Sequence, residues 1–406
     1  MLASPDFKAA GYDLCSLDSG WSDPSITDQH GRIMYKYPAF NLSTLGAQLH
    51  GMGLKMGVYT LPGFPCTGMH KTIKGTNITL RQVWNGNVLG FGFCDFAFER
   101  KGVQEYHDSV IELWTSWGVD MIKLDYLTPG SPKNNGHLVK NNSGAAIAYH
   151  NAIQNSGKQV RLDLSWKLCR AEPWMSVWEG NAESIRVDQD IDSYNGHTFA
   201  NIAGLQRTME NYRQFVNVQS SKNRRMTIHP DLDNLFVGNA EKITGLYDSQ
   251  RITLMSLWIG ASANLVLGSD LTNMDELGRN LITSNDSIVA AAFCAKHPMQ
   301  PRNPGTGKNG AMQLQAWISG PSEDGEAVVI LTNLGADRGN GGYRTRWHGV
   351  QDVSITLKDL GVESRGGECW STRDVWKGGV GSVGRGERLE AKLDEGESRM
   401  IWLKPC

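Results

Sequence analysis

Residues 117–127 read WGVDMIKLDYL. Val119, Met121, Ile122 and Leu124 make the apolar run of a buried strand, yet Lys123 and Asp125 sit inside its far end. Successive strand side chains alternate between faces, so these two charged residues, which share parity, emerge on the same side. Two explanations fit: a structural ion pair at a strand end, or charges delivered together to an opening in the fold.

Outward from this stretch, residues 11 to about 271 alternate short apolar runs with helical patterns, the mark of strand-helix units around a parallel sheet. Seven segments read as strands: YDLCSLD (12–18), LKMGVYTL (54–61), VDMIKLDYL (119–127), QVRLDLSW (159–166), SIRVDQDI (184–191), RRMTIHP (224–230) and ANLVLGSDL (263–271). Between them lie amphipathic stretches such as NIAGLQRTMENYRQFV, with Ile202, Leu205, Met209 and Tyr212 on one face. Asp18, Asp125, Trp166, Asp190 and Asp270 stand where runs stop. The C-terminal strand ends of a (β/α)8 TIM barrel carry its active site, so polar residues collected there predict a barrel with a functional mouth. Past residue 305 the texture changes: a Gly/Pro/Asn-rich connector, NPGTGKNGAM, precedes short alternating runs with Gly-rich turns. The expected organisation is an α/β barrel over 1–308 and an antiparallel β-sandwich over 309–406.

The chain has 406 residues and a formal charge of −2, so no basic excess exists to attract nucleic acid or an anionic membrane. No stretch approaches the roughly 20 apolar residues of a membrane span. The opening, MLASPDFKAAGYDLCSLDSGW, lacks the apolar core of a signal peptide, because Pro5, Asp6 and Lys8 interrupt it. Forty-six glycines and 13 tryptophans suit tight loops and flat sugar-binding surfaces, although a tryptophan more often fills a core. Seven cysteines leave at least one thiol unpaired within the monomer, and a disulfide between Cys66 and Cys94 could close the loop they bracket. Sequons at Asn41, Asn77, Asn141 and Asn285 favour an extracellular setting. The ten histidines show no metal-ligand spacing, and no cofactor is expected.

Three acidic sites converge in the pattern: Asp125 after Lys123, Asp190 four residues after Arg186, and Asp18 before Ser19, Gly20 and Trp21. Two carboxylates about 5–5.5 Å apart, one nucleophile and one acid/base, are what a retaining glycosidase needs. Spacing alone does not choose between Asp188, Asp190 and Asp192, which share parity.

In the order of its motifs the chain resembles glycoside hydrolase family 27, the α-galactosidases and α-N-acetylgalactosaminidases. AAGYDLCSLDSGWSD looks like the family's second-strand segment, LGAQLHGMGLKMGVYT like its next helix and strand, and WGVDMIKLDY like its nucleophile strand. IRVDQDI is similar to the acid/base segment and DLDNLFVGN to an Asp-containing loop. The resemblance implies Asp125 as nucleophile and Asp190 as acid/base. It implies Asp18, Trp21, Tyr59, Lys123, Ser165, Trp166, Arg186 and Asp233 as residues of the sugar pocket. The implied partner is an oligosaccharide or polysaccharide, with no nucleic acid, no membrane and no cofactor, and the implied location is outside the cell.

Several departures bear on specificity. Where the family carries two adjacent aspartates that grip the hydroxyls at carbons four and six, this chain has Asp18 and Ser19. Ser165 stands where galactosidases commonly place Glu, which keeps a 2-acetamido sugar open. Leu127 replaces a cysteine, and residues 66–100 form a long insertion. An α-glucan substrate, as for isomaltose-releasing relatives, or a silent carbohydrate-binding relic are the alternatives. The family's first strand has no counterpart, so the sequence reads as N-terminally truncated, with both signal and first strand missing.

Overall fold

The computed structural model describes residues 1–406 apart from 131–137, 194–196, 222–225, 304–309 and 364–366. Two compact units result, one built from residues 12–186 with 2–4, the other from 187–406 with 5–11 and residue 1.

In the first unit five strands pair in sequence order and all in parallel: β1 (Leu14–Leu17), β2 (Lys55–Thr60), β3 (Val119–Leu124), β4 (Arg161–Leu164) and β5 (Ser184–Arg186). Each is shorter than its apolar run predicts. Met56, Val58, Ile122, Leu124, Leu162 and Leu164 are buried and drive the pairing. Gly57 is needed where β2 crosses between its neighbours: a Cβ there would lie 2.6 Å from Ser16 Oγ and 3.1 Å from Met121 Sδ. The helix Val103–Ser116 covers the sheet with Val103, Tyr106, Val110, Ile111 and Trp114, all buried. It starts on Gly102, whose N–H donates to Glu105 Oε2 at 2.9 Å.

The expected insertion is a small antiparallel sheet in which Phe93–Phe96 lies between Phe64–Pro65 and Trp84–Gly90. The disulfide Cys66–Cys94 ties it down, as the cysteine positions suggested. Asp95, at 1% exposure, accepts from Asn85 Nδ2 at 2.5 Å through Oδ2, while Oδ1 is buried without a hydrogen-bond partner. Burial pushes this carboxyl up to about 6, against the opposing pull of the Asn85 and Phe96 donors. Because the folded value exceeds the unfolded one, the unfolding chain releases a proton between about pH 4 and 6, and stability falls as pH rises through that window. Asp95→Asn is therefore expected to gain on its parent by about 2 kcal/mol between pH 4 and pH 7. Thermal melts of both proteins at the two pH values check this; a difference independent of pH contradicts it.

The second unit holds β6 (His229–Asp231), the long helix Ile202–Ser221 and the helices Asp248–Gly260, Glu276–Thr283 and Asn285–Lys296. The strand expected at 224–230 begins only at His229, and Arg224 and Arg225 lie outside the described residues. The seventh expected strand, 263–271, is absent. Its one ladder contact is a parallel bridge of Leu267 with Leu235, where the Leu235 N–H donates to Val266 O at 2.6 Å. Asp270 instead caps the short 3₁₀ turn Leu271–Asn273 by accepting from Thr272 N at 2.9 Å. A polar end that can cap a turn competes with continuation of the strand.

The antiparallel sandwich comprises a six-stranded sheet, ordered 300–302, 314–319, 327–333, 397–405, 369–374, 378–384, and a pair, 351–356 with 388–393. Ala316, Ile318, Val329, Leu331, Val353, Ile355, Trp370, Leu389 and Leu403 form its core. Gln300–Arg302 joins this sheet ahead of the connector, whose residues 304–309, with the expected boundary, lie outside the described residues. A second disulfide, Cys369–Cys406, closes the last strand. Strand-helix alternation with parallel pairing is (β/α)8-barrel construction, and the sandwich follows it.

Candidate active site

The pair of charges in β3 has partners. Lys123 Nζ lies 2.7 Å from Asp18 Oδ2, at the end of β1, and 5.6 Å from the centroid of the Tyr59 ring in β2. The Tyr59 phenol lies close enough to the Asp125 carboxylate to feel its charge. Asp125 is fixed from both sides, its N–H donating to Thr60 O at 3.0 Å and its Oδ1 accepting from Tyr126 N at 2.8 Å. Strand parity thus brings Asp18, Tyr59, Lys123 and Asp125 together from three adjacent strand ends.

Their charges sustain one another. Burial raises the Asp18 carboxyl, but the Lys123 charge and hydrogen bond, the Ser19 N–H at 2.7 Å and the Arg186 charge outweigh it, and the net shift is downward. Lys123 is lowered by burial and by Arg186, yet Asp18 and Asp125 carry it above the usual ammonium value. Burial first, then the Asp125 charge, pushes Tyr59 far up, so the phenol stays protonated. The group can hold an ionised carboxylate beside a cation, with Asp18 and Lys123 offering acceptors and donors to vicinal hydroxyls.

β4 and β5 contribute the next wall. Ser165, 2% exposed, donates its N–H to Leu124 O at 2.8 Å, which keeps it level with Asp125. Trp166, with φ +85°, stacks on Tyr126 at 4.4 Å between centroids and 24° between planes. Arg186 is buried at the end of β5, its carbonyl accepting from Leu168 N at 3.4 Å.

Trp21 is a correction. Its side chain is 1% exposed, its Nε1 donates to Tyr59 O at 2.9 Å, and its ring meets Trp114 and Trp117 edge-on. It is core beneath the strand ends, because an indole that finds a carbonyl partner inside gains more from burial than from exposure. Ser19 does reach an opening, a cleft of about 270 Å³ that it shares with Tyr59 and Tyr126.

In the second unit the three acids of equal parity have different surroundings. Asp188 is 1% exposed and accepts from Arg207 Nε at 2.8 Å, Thr208 Oγ1 at 3.0 Å and Asn211 Nδ2 at 2.9 Å, which makes it the anchor of helix Ile202–Ser221. Asp192 forms a backbone bridge with Ala200. Asp190 is exposed. Its carbonyl accepts from Arg207 Nη2 at 2.6 Å, and the next N–H, of Ile191, donates to Asp233 Oδ2 at 2.7 Å. Asp233 itself is 6% exposed with φ +71°, and its carbonyl accepts from Trp258 Nε1 at 3.1 Å. The resemblance made Asp233 a pocket residue; this hydrogen bond gives it a hold on the backbone that presents Asp190. Arg207 has the same hold from the other side. Its motif signal was weak: one arginine in an amphipathic helix.

Among the described residues no group of three or more His, Cys, Asp or Glu is arranged to hold a metal ion. No helix among them is long and apolar enough to cross a membrane.

Comparison with known proteins agrees with these features. Residues 312–403 match the family described as "Alpha galactosidase C-terminal beta sandwich domain". "Alpha-galactosidase 3" of Hypocrea jecorina is 51% identical over 404 residues, covering 100% of this chain, which spans 64% of that protein's length. An Emericella nidulans protein with the provisional name α-galactosidase 8 is 51% identical over 364 residues, covering 89% of this chain and 72% of its own. A GH27 β-L-arabinopyranosidase from Geobacillus stearothermophilus superposes with a TM-score of 0.81 at 20% identity, over 100% of this chain and 90% of that one. The chain belongs to the α-galactosidase family, glycoside hydrolase family 27.

Proposed function

We propose that the protein is a retaining α-glycoside hydrolase that releases terminal α-linked galactose from oligosaccharides or polysaccharides by double displacement. The observation that carries this is the Asp125 carboxylate, held by the Tyr126 N–H at 2.8 Å at the end of the strand whose Lys123 pairs with Asp18 at 2.7 Å. Asp125 attacks the anomeric carbon while Asp190 gives its proton to the departing oxygen. The glycosyl-enzyme ester then forms at Asp125 as the glycosidic bond breaks. A water, deprotonated by Asp190, attacks the same carbon and frees Asp125, so two inversions leave the configuration retained. Lys123, Asp18 and Arg186 bind sugar hydroxyls, and Ser165 and Trp166 form the wall near carbon two. We place this chemistry in residues 1–308 and the sandwich, apart from its strand Gln300–Arg302, in 309–406. Two disulfides and four sequons support a location outside the cell.

A panel of aryl α-glycosides differing at carbons two and four tests the sugar assignment. The galactoside is expected to react at least about tenfold faster than its glucoside epimer, since hydroxyl-binding groups discriminate strongly. A reversed preference moves the protein to a glucose-handling branch, and no turnover at all supports a binding relic. Ser19 favours one second reading: without a charged grip at carbon six, a pentopyranoside such as the β-L-arabinopyranoside fits the same pocket and belongs in the panel.

A further inference from the structure

In the sandwich the chain between Asn333 and Gln351 forms a loop built around one carboxylate. Asp337 Oδ1 accepts from the N–H groups of Gly339 at 2.8 Å and Gly341 at 2.9 Å, and Oδ2 from those of Tyr343 at 3.1 Å and Arg344 at 2.8 Å. Burial raises the Asp337 carboxyl, but these four donors outweigh it and hold it below the usual carboxylate range. Asp337 N also donates to Thr345 O at 2.9 Å, which sets Arg338 on one limb of the loop beside Arg344 and Arg346 on the other. Helix Ile202–Ser221 supports the first limb, with Gln206 Oε1 accepting from Arg338 N at 3.0 Å. Gln313, 1% exposed, fixes the second by donating to Trp347 O at 2.8 Å and accepting from Trp347 N at 3.2 Å. A loop pinned at so many points presents its side chains in place before any partner arrives.

What it presents is cationic and aromatic. Arg338, Arg344 and Arg346 are exposed, and none has a carboxylate partner among the described residues. The acids nearby are already engaged: Glu395 with the His348 ring at 3.0 Å and the Gly349 and Ala336 N–H groups, and Glu210, beside Gly342, with Arg213. Trp347 is 52% exposed. Arg344 has a left-handed backbone, φ +60°, where a glycine would sit without strain. A strained position that keeps its arginine points to a use for the side chain.

A guanidinium pairs with a carboxylate in a two-point contact, and an exposed indole stacks on the C–H face of a pyranose; a uronic acid offers both on one ring. A neutral glycan would leave the arginines unpaired. Nucleic acid fits less well, since three cations neutralise few phosphates in a chain of formal charge −2. A protein partner needs about 800 Å² on each side, well beyond three arginines and one indole. We propose that the loop 335–350 is a docking site for an acidic polysaccharide, with Trp347 under a uronic acid ring and the arginines on its carboxylates. The site holds the protein on a polymer, and hydrolysis of a small soluble glycoside does not require it.

Affinity electrophoresis through gels containing polygalacturonate, its methyl-esterified form or polyglutamate tests this on the parent, Trp347→Ala, Arg346→Gln and Arg344→Gly. The esterified polymer keeps the ring without the charge, and polyglutamate the charge without the ring; each is expected to bind at least about fivefold more weakly than polygalacturonate. Affinity for polygalacturonate should fall about fivefold in Trp347→Ala and about two- to fivefold in each arginine variant, with turnover of an aryl α-galactoside unchanged. Arg344→Gly controls for folding, because glycine relieves the left-handed backbone and the melting temperature should not drop. The proposal is overturned if polygalacturonate fails to retard the parent, if either control polymer retards it equally, or if the variants bind as the parent does. Preference for single-stranded DNA over polygalacturonate overturns it as well. A protein retarded by polygalacturonate but inactive on galactosides keeps the docking site and refutes the catalytic reading.

Discussion

Asp125→Asn is expected to lower kcat for an aryl α-galactoside by on the order of 10⁴-fold, with a melting temperature close to the parent's. The amide cannot form the glycosyl ester, so the two-step route closes and only the slow uncatalysed direction of attack remains. Structure is spared for specific reasons. The main-chain bond from Asp125 N to Thr60 O does not involve the side chain, and an amide oxygen can still accept from Tyr126 N. Lys123 loses one of its two carboxylates but keeps Asp18 at 2.7 Å. Loss of rate without loss of fold separates catalysis from the bland alternative, a structural ion pair at a strand end, which would cost stability and leave no rate to lose. Steady-state kinetics and a thermal melt on the same sample decide it; a rate within tenfold of the parent removes Asp125 from the nucleophile role.

Asp190→Asn is expected to lower kcat/KM by about 10²–10⁴-fold for sugar leaving groups and by much less for an activated aryl one. Protonation of the departing oxygen matters in proportion to how poor a leaving group it is, so the size of the loss should track aglycone pKa. Two bonds that pin the loop would survive, to the Asp190 carbonyl from Arg207 and from the Ile191 N–H to Asp233. Neither uses the Asp190 carboxyl. A loss independent of the leaving group would assign Asp190 a binding role and send the search for the acid to another carboxyl. Plots of rate against leaving-group pKa for both proteins provide the check.

The parallel sheet was legible in the sequence because buried parallel strands are continuous apolar runs, and β2 and β3 carry the clearest of them. Their ends were overestimated, since nothing in YTL or LDYL announces where the ladder hydrogen bonds stop. The segment 263–271 looked as apolar as β2 but makes a single bridge with Leu235, while Asp270 turns to capping. In the sandwich, 378–384 carries no strand signal of its own: GGVGSVG reads as a turn, and only its pairing with Cys369–Asp374 makes it a strand. Pro301 hid the strand Gln300–Arg302 in the same way.

At the site, parity sufficed to bring Lys123 to the side of Asp125, and the family motifs supplied Asp18 and Tyr59. Burial was not legible, which is why Trp21 was placed at the mouth rather than in the core. Nor was backbone conformation: the left-handed φ of Phe91, Tyr126 and Trp166 is set by the hairpin and by the way β3 and β4 end, not by residue type. Asp188 and Asp190 differ only in what surrounds them. Three donors claim the first, and the second is left exposed.

The most direct measurement is to trap the intermediate with a galactosyl fluoride carrying a second fluorine at carbon five, then locate the adduct by mass spectrometry of the digested protein. One 5-fluorogalactosyl group esterified to Asp125, formed as the anomeric fluoride departs, in the peptide containing KLDYL, is the result expected. An adduct on a different carboxylate, or an enzyme that turns over galactosides to the inverted anomer and never labels, would contradict double displacement through Asp125.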